Sequence, residues 1–205
     1  MRSFSLFPCH SIVDGACTCG RRDCRSPGKH PLTQRGFLDA SRDSHTHCKW
    51  LNRWPFANFA LPTGSANGVL VLDVDAKSGG LDSFAEIEDA LPATWTVATG
   101  GGGLHKYFAL RSGDMFSSRI GWKHGIDVRC EGGYVIAPGS LHVSGRVYRW
   151  VNGMSPDDLP IAPVPAWVVD SLGEAAPVVR ASNITPTPLP PPNPRYTGLR
   201  LRMPT

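Results

Sequence analysis

The feature that most constrains this chain is the run Val69-Leu70-Val71-Leu72-Asp73, bounded by Gly68 before it and by Gly79-Gly80 after it. It is too short for a helix, alternates β-branched residues with leucine and is punctuated by glycine, which predicts a buried strand. Around it the pattern predicts a helix within Ala40 to Trp54, with Ser41 or Asp43 as cap, and an amphipathic helix over Leu81 to Leu91. The latter has Leu81, Phe84, Ile87 or Ala85, and Leu91 on one side, and Pro92 ends it. Thr94–Thr99 and Leu104–Leu110 read as strands joined by Gly100 to Gly103. Further strands are predicted at Gly125–Arg129, Tyr134–Ala137 and Val147–Val151. That order predicts an α+β fold with a mixed or antiparallel sheet rather than alternating parallel units.

The 205 residues suit one domain, and 41% hydrophobic with 19% charged residues is an ordinary globular composition. The formal net charge of +4 is compatible with a nucleic-acid partner without demanding one. No stretch approaches the roughly 18 consecutive apolar residues needed to span a bilayer, and Met1 to Pro8 lacks the apolar core of a secretory signal. No membrane partner and a cytoplasmic location are therefore expected. From Glu174 to Thr205 eight prolines fall in 32 residues, so 1–173 is expected to be the folded domain and 174–205 a stiff linker or tail.

Asp73 and Asp75 sit two apart at the end of the apolar strand, so period-two alternation puts both carboxylates on one face. A divalent cation is the usual way to keep such a pair ionised. Asp127, in Gly125-Ile126-Asp127-Val128, also ends a short apolar approach. Three aspartates at strand ends can hold two metals, which suits nucleotidyl transfer. Thr99-Gly100-Gly101-Gly102-Gly103-Leu104-His105 packs four glycines before a strand. There Gly102 and Gly103 would let main-chain N–H groups approach a phosphate and His105 would add a donor. No Gly-Lys-Ser/Thr follows and no helix opens, so neither a Walker nor a dinucleotide motif is present.

Cys17, Cys19, Cys24 and His30 supply three sulfurs and an imidazole within the Cys/Gly/Pro-punctuated opening, a donor set that suits structural zinc. Residues 1–31 are expected to have no regular core of their own without a cross-link or metal, and the zinc-binding segment is placed at about 9–31. Cys9 or His10 remain alternatives for one ligand. The basic set Arg21, Arg22, Arg25 and Lys29 lies alongside as a candidate contact for template phosphates.

Taken in order, Val-Leu-Asp-Val-Asp at 71–75, Gly-Gly-Gly-Leu-His at 101–105 and Gly-Ile-Asp-Val-Arg-Cys-Glu-Gly-Gly-Tyr-Val-Ile-Ala-Pro-Gly-Ser at 125–140 resemble the bifunctional primase-polymerase domain of plasmid, phage and prophage replication proteins, in the archaeo-eukaryotic primase superfamily. The resemblance runs from about Phe7 to Leu172. It implies a primase-like catalytic core with an RRM-like part, preceded by a small zinc-binding loop region. It also implies template-directed primer synthesis or extension from nucleoside triphosphates on single-stranded DNA with Mg²⁺ or Mn²⁺. Asp73, Asp75 and Asp127 would be the metal-binding carboxylates and His105 the nucleotide-binding histidine. Secondary contacts to the triphosphate are expected from Lys106, Arg129, Ser140 and His142. Cys-x-Cys, Cys and Gly-Lys-His-Pro elements also open many such domains, and related proteins often continue into an accessory helical domain or a helicase. The chain departs from the common pattern at Asp75, where many relatives have Glu, and at Gly103, where many have Ser. Two other classes remain: a non-catalytic zinc-containing nucleic-acid-binding module, and a metal-dependent nuclease.

Overall fold

A computed structural model describes residues 4–173. The proline-rich segment 174–205, expected as a linker or tail, lies outside the described residues. The elements are β1 (Phe7–Cys9), β2 (Ile12–Val13), β3 (Ala16–Cys17), α1 (Ser44–Arg53), β4 (Asn58–Pro62), β5 (Val69–Val74), α2 (Gly80–Ala85), β6 (Thr96–Ala98), β7 (Leu104–Ala109), β8 (Arg119–Lys123), β9 (Ile126–Arg129), β10 (Tyr134–Ile136), β11 (Arg149–Trp150) and α3 (Ala166–Leu172). A six-stranded sheet has the order β11-β6-β7-β5-β9-β8, a second has β1-β4-β10, and β2-β3 form a hairpin. Every pairing between these strands is antiparallel.

The apolar run is the centre of the larger sheet, because β5 pairs with β7 on one side and β9 on the other. Leu70, Leu72 and Val74 point toward α2 and α3, meeting Phe84, Ile87, Val168 and Leu172. Val69 and Val71 face the other way, meeting Tyr107 and Val97 beneath Phe7, Ala60, Val135 and Ile136 of the three-stranded sheet. Both faces of β5 are thus covered, which is why it reads as continuous rather than alternating hydrophobicity. Asp73 follows the odd-numbered residues toward the three-stranded sheet, at the strand end where the two sheets leave a cleft.

One expectation is corrected. The helix over Leu81 to Leu91 is only α2, followed by a tighter turn at Glu88–Ala90. Ile87 N bonds to Phe84 O at 3.0 Å and Ala90 N to Ile87 O at 3.1 Å, so the last turns close on shorter rings. Glu86, Glu88 and Asp89 would place like charges at a helix C-terminus, where the macrodipole is already negative. Phe84 and Ile87 are buried as expected, whereas Leu81 is exposed. Phe7 and Cys9 from the opening of the chain are fully buried in the three-stranded sheet, in a core shared with β4 and β10 rather than one of the opening's own. Pro8 sits there on an edge strand, a place that tolerates its missing N–H. Within Ala40–Trp54 the helix starts at Ser44, because Asp43 accepts from the amides of His45 and Thr46. No helix among the described residues is long and apolar enough to cross a membrane.

Candidate active site

Sheet register gathers the residues singled out from the sequence. Asp73 on β5 lies directly opposite His105 on β7 and directly opposite Asp127 on β9. Three chemistry-bearing side chains therefore stand in one row across three adjacent strands. His105 Nε2 is 3.5 Å from Asp73 Oδ1. Arg129, two residues beyond Asp127 and so on the same face, donates from Nε to Asp73 Oδ2 at 3.3 Å and from Nη2 to Asp127 Oδ2 at 2.7 Å. Like charges directly opposite on neighbouring strands repel, and the guanidinium between them offsets that repulsion. Burial pushes the Asp73 carboxyl up, but His105 and Arg129 outweigh it and hold the group below the usual carboxylate range.

Asp75 lies one residue past the end of β5. It caps the short turn Ala76–Ser78, accepting from Lys77 N at 2.9 Å and Ser78 Oγ at 3.2 Å. Asp127 accepts from Gly121 N at 2.7 Å. The three aspartates line one cleft of about 680 Å³ together with His105, Arg129, Lys29, Lys77, Tyr134, His142 and Tyr148. They do not converge on a single point: Asp73 and Asp127 share Arg129, while Asp75 is turned to the Lys77 amide and the Ser78 hydroxyl. As hard oxygen donors on the wall of one pocket, they suit Mg²⁺ or Mn²⁺ in chemistry.

The glycine turn serves the backbone more than a ligand. Thr99 N donates to Gly103 O at 2.9 Å, Gly103 N to Thr99 Oγ1 at 3.0 Å and Gly102 N to Thr99 O at 3.0 Å. The amides of Gly102 and Gly103, expected to approach phosphate, are used within the turn; Thr99 and Gly101 are the turn residues that line the cleft. A Cβ on Gly103 would overlap the Val74 carbonyl oxygen, so the close approach of two strands demands glycine.

Two secondary candidates, Lys106 and Ser140, do not line the cleft. Lys106 alternates to the opposite face from His105, where its ammonium lies 5.4 Å from the centre of the Phe84 ring. Ser140 is buried, with Oγ accepting from Phe59 N and donating to Phe59 O, both at 3.1 Å, so it fastens its loop to β4. His142 does line the cleft, and Ser144 holds its Nδ1 at 3.0 Å. Tyr134 packs edge-on against Phe7, and its hydroxyl donates to Lys29 O at 3.2 Å.

In the loop that carries Ser26 and Lys29 to the cleft, the ligand atoms of Cys17, Cys19, Cys24 and His30 all lie within 4.8 Å of one another. Among the described residues this is the group of three or more His, Cys, Asp or Glu side chains drawn together in that way. Cys17 Sγ is 3.4 Å and Cys24 Sγ 3.6 Å from His30 Nε2, and Gly28 N donates to Cys17 Sγ at 3.4 Å. Burial, with Arg21 nearby, lowers the His30 pKa and favours the neutral, ligand-competent imidazole. Three thiols and one such nitrogen fit zinc. Cys9 and His10 are not members: Cys9 is in the core, and His10 stacks on His30 with Nδ1 on Thr18 Oγ1 at 2.9 Å.

Fold and pocket together define an α+β protein with an acidic and basic cleft beside a Cys₃His group compatible with zinc. A family model described as bifunctional DNA primase/polymerase, N-terminal, matches residues 1–167. The chain belongs to that family, which implies a nucleotidyltransferase-type enzyme acting on DNA and nucleotides. A search of curated proteins finds no match.

Sequence reasoning missed Lys77 and Tyr148 as cleft residues and placed Lys29 elsewhere. Lys77 carried a usable signal, since it follows Asp75 by two residues. The others reach the cleft only through tertiary contacts.

Proposed function

We propose that this domain is a template-directed nucleotidyltransferase that synthesises or extends primers on single-stranded DNA, built on an archaeo-eukaryotic primase-like core with an RRM-like part. The observation that carries this is the row His105, Asp73, Asp127 across three neighbouring strands, opening into one cleft with four further cationic or imidazole side chains, Lys29, Lys77, Arg129 and His142. Mg²⁺ or Mn²⁺ held by Asp73 and Asp127 with Asp75 would supply charge neutralisation at the attacking hydroxyl and the departing pyrophosphate. The protein's own groups do the positioning. Asp73 stays ionised because Arg129 and His105 face it. Arg129, already bridging two carboxylates, brings into the pocket a positive charge that a triphosphate can share. His105, almost fully buried, has its Nδ1 without a partner and its ring held against Tyr148, so its orientation is set before any ligand arrives.

The test is incorporation of labelled nucleotides on single-stranded DNA. Native protein incorporates them and Asp73→Ala with Asp75→Ala abolishes the signal; incorporation that survives both changes excludes the catalytic assignment. Cleavage of the strand without added nucleotides would instead indicate a nuclease.

A further inference from the structure

Lys29 lies between two members of the Cys₃His group, Cys24 and His30, yet it and Ser26 line the same cleft as Asp73, Asp127 and His105. The loop carrying it is fixed on several sides. Asn58 Nδ2 donates to Gly28 O at 2.8 Å, Tyr134 Oη to Lys29 O at 3.2 Å, and His10 N to His30 O at 2.9 Å. The main chain of Lys29 is thus pinned while its side chain is exposed, and none of the ion pairs among the described residues uses its ammonium. Lys29 contributes, after burial, to the lowered pKa of His142, which puts its charge on the His142 side of the cleft. The other basic residues of the loop, Arg21, Arg22 and Arg25, do not line the cleft.

We propose that Lys29 binds the phosphates of the nucleoside triphosphate, and that the zinc-binding loop delivers it, so that zinc occupancy sets nucleotide affinity. This rests on the nucleotidyltransferase assignment above and adds to it a substrate-contacting residue and a second task for the zinc loop. A pinned lysine near a polyphosphate makes a charge-assisted contact, and a metal held by Cys24 and His30, on either side of Lys29, would fix the loop further.

The experiment is calorimetric titration of the full chain, with Mn²⁺ present, using dATP, ATP and AMP as probes. Lys29→Ala should weaken the preferred triphosphate about tenfold, the loss of one charge-assisted hydrogen bond, while AMP binding, zinc content and the thermal midpoint stay unchanged. Lys49→Ala, on the exposed face of α1, should change nothing. Cys24→Ser should lose at least as much triphosphate affinity, and adding Lys29→Ala to it should lose no more. Native triphosphate affinity in Lys29→Ala overturns the proposal, as does a loss seen only with single-stranded DNA. A native chain that binds neither triphosphate overturns this proposal and the nucleotidyltransferase assignment together.

Discussion

Arg129 occupies the place between Asp73 and Asp127 that a cation is needed to fill, and it does so because residues 127 and 129 share one face of β9. The sequence made the aspartates and His105 legible, since each closes or opens an apolar strand. It left the bridging guanidinium as one triphosphate candidate among several, because nothing in a linear pattern says which carboxylate an arginine will reach. Gly103 teaches the opposite lesson. Seen in sequence it is a missing hydroxyl, but in the fold a side chain there would meet the Val74 carbonyl. Gly103→Ala should therefore destabilise the domain by about 1–3 kcal/mol in urea denaturation, the usual scale of overpacking. Lys106, a triphosphate candidate in the sequence, lies against Phe84 on the face away from His105. Burial lowers its pKa, with Glu88 opposing, so between the folded value and the ordinary lysine value near 10.5 the unfolded chain binds more protons. Native stability relative to Lys106→Met should accordingly rise as pH is raised through that window. Denaturant midpoints measured at several alkaline pH values check this, and a difference that stays flat would show that Lys106 is solvated.

Among the elements, the strongly patterned strands at the centre of the larger sheet were readable to within a residue or two. Of the short edge strands, β10 and β11 were also readable, whereas β1 and β8 were not. β1 carries a proline, and β8 is largely exposed with a register irregularity between Arg119 and Lys123, so neither shows a clean period of two. β4 was hidden by Asn58, a polar residue at a core position. Asn58 is buried because Oδ1 accepts from Ser11 Oγ at 3.1 Å and Leu141 N at 2.8 Å, while Nδ2 donates to Gly28 O and Leu141 O at 2.8 Å each. One side chain thus fastens the Cys₃His loop and the His142 segment to the same strand. Asn58→Ala should cost about 3 kcal/mol, on the scale of one or two buried polar groups left unpaired. It should also expose the amides of residues 28 and 141 to hydrogen exchange while those of β5 stay protected.

At the scale of the molecule, two sheets and a metal-compatible loop meet at one cleft, and each contributes groups to it. The larger sheet brings the aspartates, His105 and Arg129, the smaller brings Tyr134, and the loop brings Lys29. That convergence could not be read from spacing, since Tyr134 and Lys29, joined by a hydrogen bond, are 105 positions apart. What the sequence did carry was the ordered set of acidic, glycine-histidine and acidic motifs, from which the family could be recognised before the fold was known. The central claim is that Asp73 and Asp127 jointly serve a divalent ion beside a bound triphosphate. Electron paramagnetic resonance of Mn²⁺ titrated into the protein with a nucleoside triphosphate tests it most directly. Asp73→Asn and Asp127→Asn should each weaken Mn²⁺ binding by about tenfold or more, equivalent to about 1.4 kcal/mol, with the zinc content unchanged. Native Mn²⁺ affinity in both variants would contradict it.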